Sequence, residues 1–224
     1  LVMPDGSKVH DSPANNACAH YLHNMLFLAG GEMTESALPV EVTAELYRCK
    51  EIESYDTVAI RAVTDNGAEI LLYATHSGRP ETGPVFDLVF EKATVTYHAE
   101  RDPVLRLHGH DGTIRDYGDP DATRSNRLWH TVEAVRTGTV PACPATAALS
   151  QTLCVSAALE SSAIHPLPEA EVITKGDDLG DSLTWMPSLA QTLWDCYEAW
   201  RLPAEIGAGW ARPGRTVRVK KPEA

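Results

Sequence analysis

The residues best suited to chemistry are two imidazoles and two amides near the start of the chain: Asn16, His20, His23 and Asn24. A surface that merely meets solvent usually carries Lys and Glu. These four side chains bear no formal charge at neutral pH with histidine neutral, which suits a polar crevice that positions hydroxyl groups. Histidine titrates near neutrality and can carry a proton to or from an alcohol oxygen as hydride leaves the attached carbon. The residue types alone leave a second reading open, in which the histidines are satisfied core or surface groups with no chemical role.

The element that must position them is a helix. Asp11-Ser12-Pro13 has the composition of a helix start, Ser12 capping free amide hydrogens and Pro13 filling the first turn. The pattern predicts a helix from there to Ala29, with Gly30-Gly31 as a left-handed stop. At helical spacing, Cys18, Leu22, Met25 and Ala29 form a buried stripe flanked by Tyr21 and Leu26. The opposite face carries Asn16, His20, His23 and Asn24, with Phe27 completing the row. Asn16 and His20, four residues apart, are expected to stack on adjacent turns.

From Val40 the period changes to alternation. Val42, Ala44, Leu46 and then Val58, Ile60, Ala62 mark half-buried strands, and Asp65-Asn66-Gly67 turns the chain into a strand over Glu69 to Thr75. Strands are expected over Val85 to Phe90, Ala93 to His98, Val104 to His108 and Thr113 to Tyr117, with a tight turn at Asp111-Gly112. Helices follow: Arg127 to Arg136 stopping at Gly138, and about Pro144 to Ala163 with Ala148, Leu149, Thr152, Leu153, Ser156 and Leu159 on related faces. A last one begins near Pro187 and carries Leu189, Leu193, Tyr197 and Trp200. Hairpin-linked strands between helices predict an α+β fold, a large open and predominantly antiparallel sheet with helices packed on one face.

The run Asp11-Ser12-Pro13-Ala14-Asn15-Asn16-Ala17-Cys18-Ala19-His20, continuing through an apolar stretch to Gly30, resembles a helix of the Gfo/Idh/MocA oxidoreductases, the family of glucose–fructose oxidoreductase and inositol dehydrogenase. That helix typically reads D-x-x-x-H with a Gly ten residues beyond the His. His20 falls on the family's catalytic His and Gly30 on its Gly, while Asn16 stands where the family usually has Asp. An amide there can orient substrate or imidazole but cannot accept a proton. Arg79 to Val95, Thr137 to Ser161 and Leu202 to Pro213 are similar to later family segments in pattern only.

The resemblance implies a single C-terminal substrate-binding and oligomerisation domain over residues 1–224, like the C-terminal domain of glyceraldehyde-3-phosphate dehydrogenase. The partner half would be a dinucleotide-binding domain preceding Leu1 that holds NAD or NADP. It implies hydride transfer at a secondary alcohol of a sugar or cyclic polyol, with His20 as acid/base and Asn16 as orienter. His23, Asn24 and His76 would contact substrate, and a sheet face would pair subunits into a homo-oligomer. This chain contains no G-x-G-x-x-G; Gly207-Ala208-Gly209 is followed by Trp210 to Pro213, so no cofactor site is expected here and the chain alone should be inactive. The rival reading is a non-catalytic module of the same fold that binds a polyol or holds an assembly together.

Composition narrows the alternatives. With 31 acidic and 19 basic residues the net charge is −12, which disfavours nucleic acid. No apolar run approaches the ~20 residues that span a bilayer, and the first ten residues show no secretory pattern. The five cysteines are odd in number and lack a C-x-x-C pair, which fits reduced thiols and a cytoplasmic setting. His108-Gly109-His110 lacks a third ligand of suitable spacing, so no metal is expected, and Asp111 is better used in its turn. The serines sit in no nucleophile elbow. His76, beyond a strand end, could equally be an exposed loop residue.

Overall fold

The computed structural model describes residues 2–6, 9, 11–120, 122, 125–176 and 182–220. In chain order these form a 3-10 turn (Pro13–Asn15), α1 (Ala19–Leu28), β1 (Pro39–Arg48), β2 (Thr57–Thr64), β3 (Glu69–Thr75), β4 (Val85–Val89), β5 (Ala93–His98), β6 (Asp102–Gly109) and β7 (Ile114–Asp116). There follow α2 (Asn126–Thr137), α3 (Leu149–Ser161), β8 (Ile164–Pro166), β9 (Ile173–Gly176), β10 (Ser182–Trp185), α4 (Leu189–Ala199) and β11 (Val217–Arg218). The fold is α+β with mostly antiparallel strands, as the sequence predicts. The strands divide among three sheets, of five, four and two members, rather than forming one. Two compact units result: residues 1–79 with 142–224, and residues 80–141.

In the first unit β11, β1, β2 and β3 lie side by side, and β8 adds a parallel pairing to β1. Alternation decides the faces. Val42, Ala44 and Leu46 of β1, Val58, Ile60 and Ala62 of β2, and Ile70, Leu72 and Ala74 of β3 point to one side. There they meet Leu22 and Leu26 of α1 and Cys154, Val155, Ala157 and Ala158 of α3. Leu22 and Leu26 are fully buried, and each such side chain contributes about 1.5–3 kcal/mol to holding α1 on the sheet.

The opposite side is covered too. Tyr47 packs there with Leu167, Met186, and Leu189 and Leu193 of α4, while the Tyr73 hydroxyl donates to the carbonyls of Cys196 and Arg201. Arg61 of β2 reaches Glu205 through both carboxylate oxygens, at 2.6 and 2.8 Å. Helices therefore lie on both faces of this sheet.

The residues that share related faces in the sequence are not those that α3 buries most deeply. Leu149, Thr152 and Ser156 are exposed, whereas Ser150, Gln151, Cys154, Val155, Ala157, Ala158 and Ser161 are buried. Small residues let α3 approach β1 closely, and the buried side chains of Gln151 and Ser161 are paired. The Gln151 amide donates to the Ala14 carbonyl at 2.9 Å. Ser161 Oγ accepts from the Ala44 N–H at 2.8 Å and donates to the Arg215 carbonyl at 2.6 Å. Gly214 sits where an added Cβ would collide with the Ala44 carbonyl and lie 2.8 Å from Ser161 Oγ, so only glycine lets the final segment cross here.

The second unit is a meander, β4 to β7, followed by α2. Its turn behaves as read from the sequence, with Asp111 Oδ1 accepting the Thr113 N–H at 2.9 Å and Gly112 at φ +88°. Val95 and Tyr97 are buried, and Tyr97 stacks on Phe86 at 5.2 Å. Arg106 is held between Asp102 and Asp116. α2 ends at Gly138 in the left-handed conformation, as expected.

Candidate active site

The segment carrying the chemistry departs from one continuous helix. Ser12 caps as predicted, its Oγ accepting the Asn15 N–H at 3.2 Å, but what it caps is the short 3-10 turn Pro13–Asn15. Asn16 then leaves helical geometry, with φ −135° and ψ −93°, and α1 starts only at Ala19. Two contacts, one distant and one local, explain the break. The Ser12 hydroxyl also donates to the Tyr55 hydroxyl at 2.8 Å, tying the turn to the sheet side of the molecule. The Cys18 N–H bonds the Pro13 carbonyl at 2.7 Å, a span of five residues that a regular α-helix does not use.

The expected stacking of Asn16 on His20 therefore fails, because Asn16 precedes α1. Its side-chain amide donates to Asp11 Oδ1 at 2.9 Å. Gly30 differs as well. It is not among the glycines at positive φ; a side chain there would run into the Glu35 carbonyl, so the chain needs glycine for close approach, not for handedness.

The polar face of α1 itself is present. His20 and Asn24 are exposed, one turn apart, and His23 and Phe27 are half-buried beside them, their rings 6.2 Å apart. His23 has its pKa lowered, first by burial and second by the neighbouring His20 charge. Its Nε2 lies 3.0 Å from the Sγ of Cys143, and its Nδ1 is buried with no hydrogen-bond partner among the described residues. His20 thus stands in water beside an imidazole that is held neutral.

His76 follows β3. Its N–H donates to the Asp56 carbonyl at 2.8 Å and its own carbonyl accepts from Lys50 Nζ at 3.0 Å, so the backbone is fixed while the ring is exposed. No described hydrogen bond or ring contact joins it to α1. Two neighbours of the site were not singled out from the sequence, Asp11 and Cys143. Asp11 was legible in principle as a carboxylate five residues from Asn16. Cys143, 120 residues from His23, gave no signal at all.

Gly207-Ala208-Gly209 lies in a turn, with Gly207 at φ +78°, and the chain continues extended into β11 without a helix. A dinucleotide pyrophosphate is bound by a glycine loop opening a helix amino terminus, so this loop does not fit one. No group of three metal-ligating side chains occurs among the described residues, and no described helix is long and apolar enough to cross a membrane.

No protein-family profile matches the chain, and no curated protein sequence matches it. Solved structures do. The oxidoreductase yvaA from Bacillus subtilis aligns over 69% of this chain and 49% of its own, with a TM-score of 0.52 at 16% identity. Levoglucosan dehydrogenase, solved with NADH and L-sorbose, aligns over 65% of this chain and 48% of its own, with a TM-score of 0.51 at 14% identity. Aldose–aldose oxidoreductase from Caulobacter crescentus, solved with glycerol, aligns over 63% and 42%, with a TM-score of 0.50 at 16% identity. The chain spans less than half the length of each. Identities this low speak to the fold alone, and the chain shares its fold with part of each of these oxidoreductases.

Proposed function

We propose that this chain is the substrate-side domain of an oxidoreductase acting on a secondary alcohol of a sugar or cyclic polyol. The observation that carries this reading is the uncharged polar face of α1, with His20 and Asn24 open to solvent on a helix whose other side is anchored by Leu22 and Leu26. Hydride chemistry would come from NAD or NADP, held by a part of the protein outside these residues. Levoglucosan dehydrogenase, of similar fold, was solved with NADH.

In this reading His20 takes the alcohol proton on oxidation and returns it on reduction. Its exposure lets a substrate oxygen reach it, and the neutral His23 next to it adds no competing positive charge. Asn24 offers an amide to a neighbouring hydroxyl. Asn16 acts indirectly, by fixing the loop through Asp11, and His76 contributes only if the substrate extends to the end of β3. Subunit pairing through a sheet face belongs to the same proposal; Val89 and Ile114 are exposed on the two edge strands of the four-stranded sheet and offer apolar surface for it.

A second reading, a non-catalytic polyol-binding or assembly module, is favoured by the misfit of the Gly207–Gly209 loop to a dinucleotide. One experiment separates them. In the full-length protein that carries this domain, His20→Ala should lower turnover by ~100- to 10,000-fold, the usual worth of a positioned acid/base, with thermal unfolding unchanged. Near-native turnover in that variant would move the acid/base elsewhere.

A further inference from the structure

Cys143 is built into a contact that none of the preceding chemistry uses. Its Sγ lies 3.0 Å from His23 Nε2, and its backbone N–H donates to the Met33 carbonyl at 2.8 Å, docking the segment between Pro141 and Pro144 onto the chain just beyond α1. Cys143 also adopts φ +54°. Among the described residues one other non-glycine residue does so, Trp200 at φ 56°, and that is the left-handed cap of α4. Cys143 caps no helix, and side-chain-bearing residues take this conformation at a cost of about 1–3 kcal/mol, most often where a site requires it.

The five thiols differ sharply in access. Cys154 and Cys196 are buried and Cys18 and Cys49 half-buried, while Cys143 is exposed. We propose that Cys143 and His23 form a thiol–imidazole pair that takes a covalent adduct from low-molecular-weight disulfides. His23 Nε2 removes the thiol proton as the sulfur attacks one sulfur of the disulfide. The Cys143–sulfur bond forms, the disulfide bond breaks, and the departing thiolate carries away the electron pair. The proton on His23 then passes to that thiolate, leaving a mixed disulfide on Cys143 and one free thiol, with no net oxidation.

Two observations bear on the resting state of the pair. Partial desolvation raises the thiol of Cys143 and burial lowers the imidazole of His23, so at rest the proton sits on sulfur and no standing thiolate forms; the 3.0 Å contact lets Nε2 accept the proton during the attack itself. That tautomer places a hydrogen on the buried, unpartnered Nδ1, and a buried polar atom left unpaired in a native fold calls for a functional account. The thiol chemistry stands independently of the oxidoreductase reading; only its consequence rests on it, namely that an adduct on Cys143 would crowd the face carrying His20 and Asn24.

The test uses oxidised glutathione as probe and peptide mass spectrometry as readout. In the native chain the adduct should appear first on Cys143, about tenfold or more ahead of Cys18 and Cys49, a modest share of what a positioned base supplies. His23→Asn and His23→Gln should each slow Cys143 by a similar factor while leaving the Cys49 rate in place. Native Cys143 should also outpace the same residue in urea, where the pair is dispersed, a comparison that needs no variant. Equal or faster labelling of Cys143 in urea, or an unchanged rate in both His23 variants, would overturn the proposal.

Discussion

Asn16 donates its side-chain amide to Asp11 across a loop, at 2.9 Å, instead of stacking on His20. The amide is thus committed to shaping the entry into α1, and a carboxylate at this position would meet Asp11 rather than the His20 imidazole.

Asn16→Asp follows from that contact. It exchanges a donor for a second acceptor and sets two carboxylates against each other at an exposed site, at a cost of about 0.5–1 kcal/mol. Thermal unfolding at neutral pH should show the loss, and the gap to the parent chain should close in acid, where the carboxyls are protonated. A variant as stable as the parent at neutral pH counts against the bond.

His23 governs a pH effect. Burial and then the His20 charge hold its folded pKa below the ordinary 6.5. Between the two values the unfolded chain binds a proton that the folded chain refuses, so stability rises with pH and is lost as pH falls from about 6.5 through the folded value. The Cε1 proton of His23, followed by NMR, should titrate below 6.5; a midpoint at or above it would refute the burial argument.

Tyr47→Phe probes the other face of the sheet. The Tyr47 hydroxyl donates to Glu45 Oε2 at 2.6 Å and accepts the Arg212 N–H at 2.9 Å, and the ring meets Trp210 edge-on at 4.8 Å. Phenylalanine keeps the ring contact but leaves Glu45, whose own pKa burial already raises, and Arg212 each short of a partner. Urea unfolding should show a loss of about 1–3 kcal/mol, with little change in the slope. A neutral substitution would mean that water replaces the hydroxyl.

Much of the secondary structure was legible because it is set by short-range periodicity. The alternation Val58, Ile60, Ala62 defines a strand wherever it sits, Asp65-Asn66-Gly67 closes its hairpin, and Gly138 stops α2 left-handed because glycine takes that conformation without a steric cost. The polar face of α1 was visible for the same reason, as one side of a helical period. What the tertiary structure decided is everything that depends on distant partners. Ser12 bonded to Tyr55, 43 residues away, holds a separate 3-10 turn and moves Asn16 off the helix. The buried face of α3 follows the close approach of β1 and the Ser161–Ala44 bond, which favour small residues over the larger Leu149. Cys143 meets His23 only because the fold returns the chain to α1 after 120 residues, a juxtaposition set by packing, with no trace in local spacing.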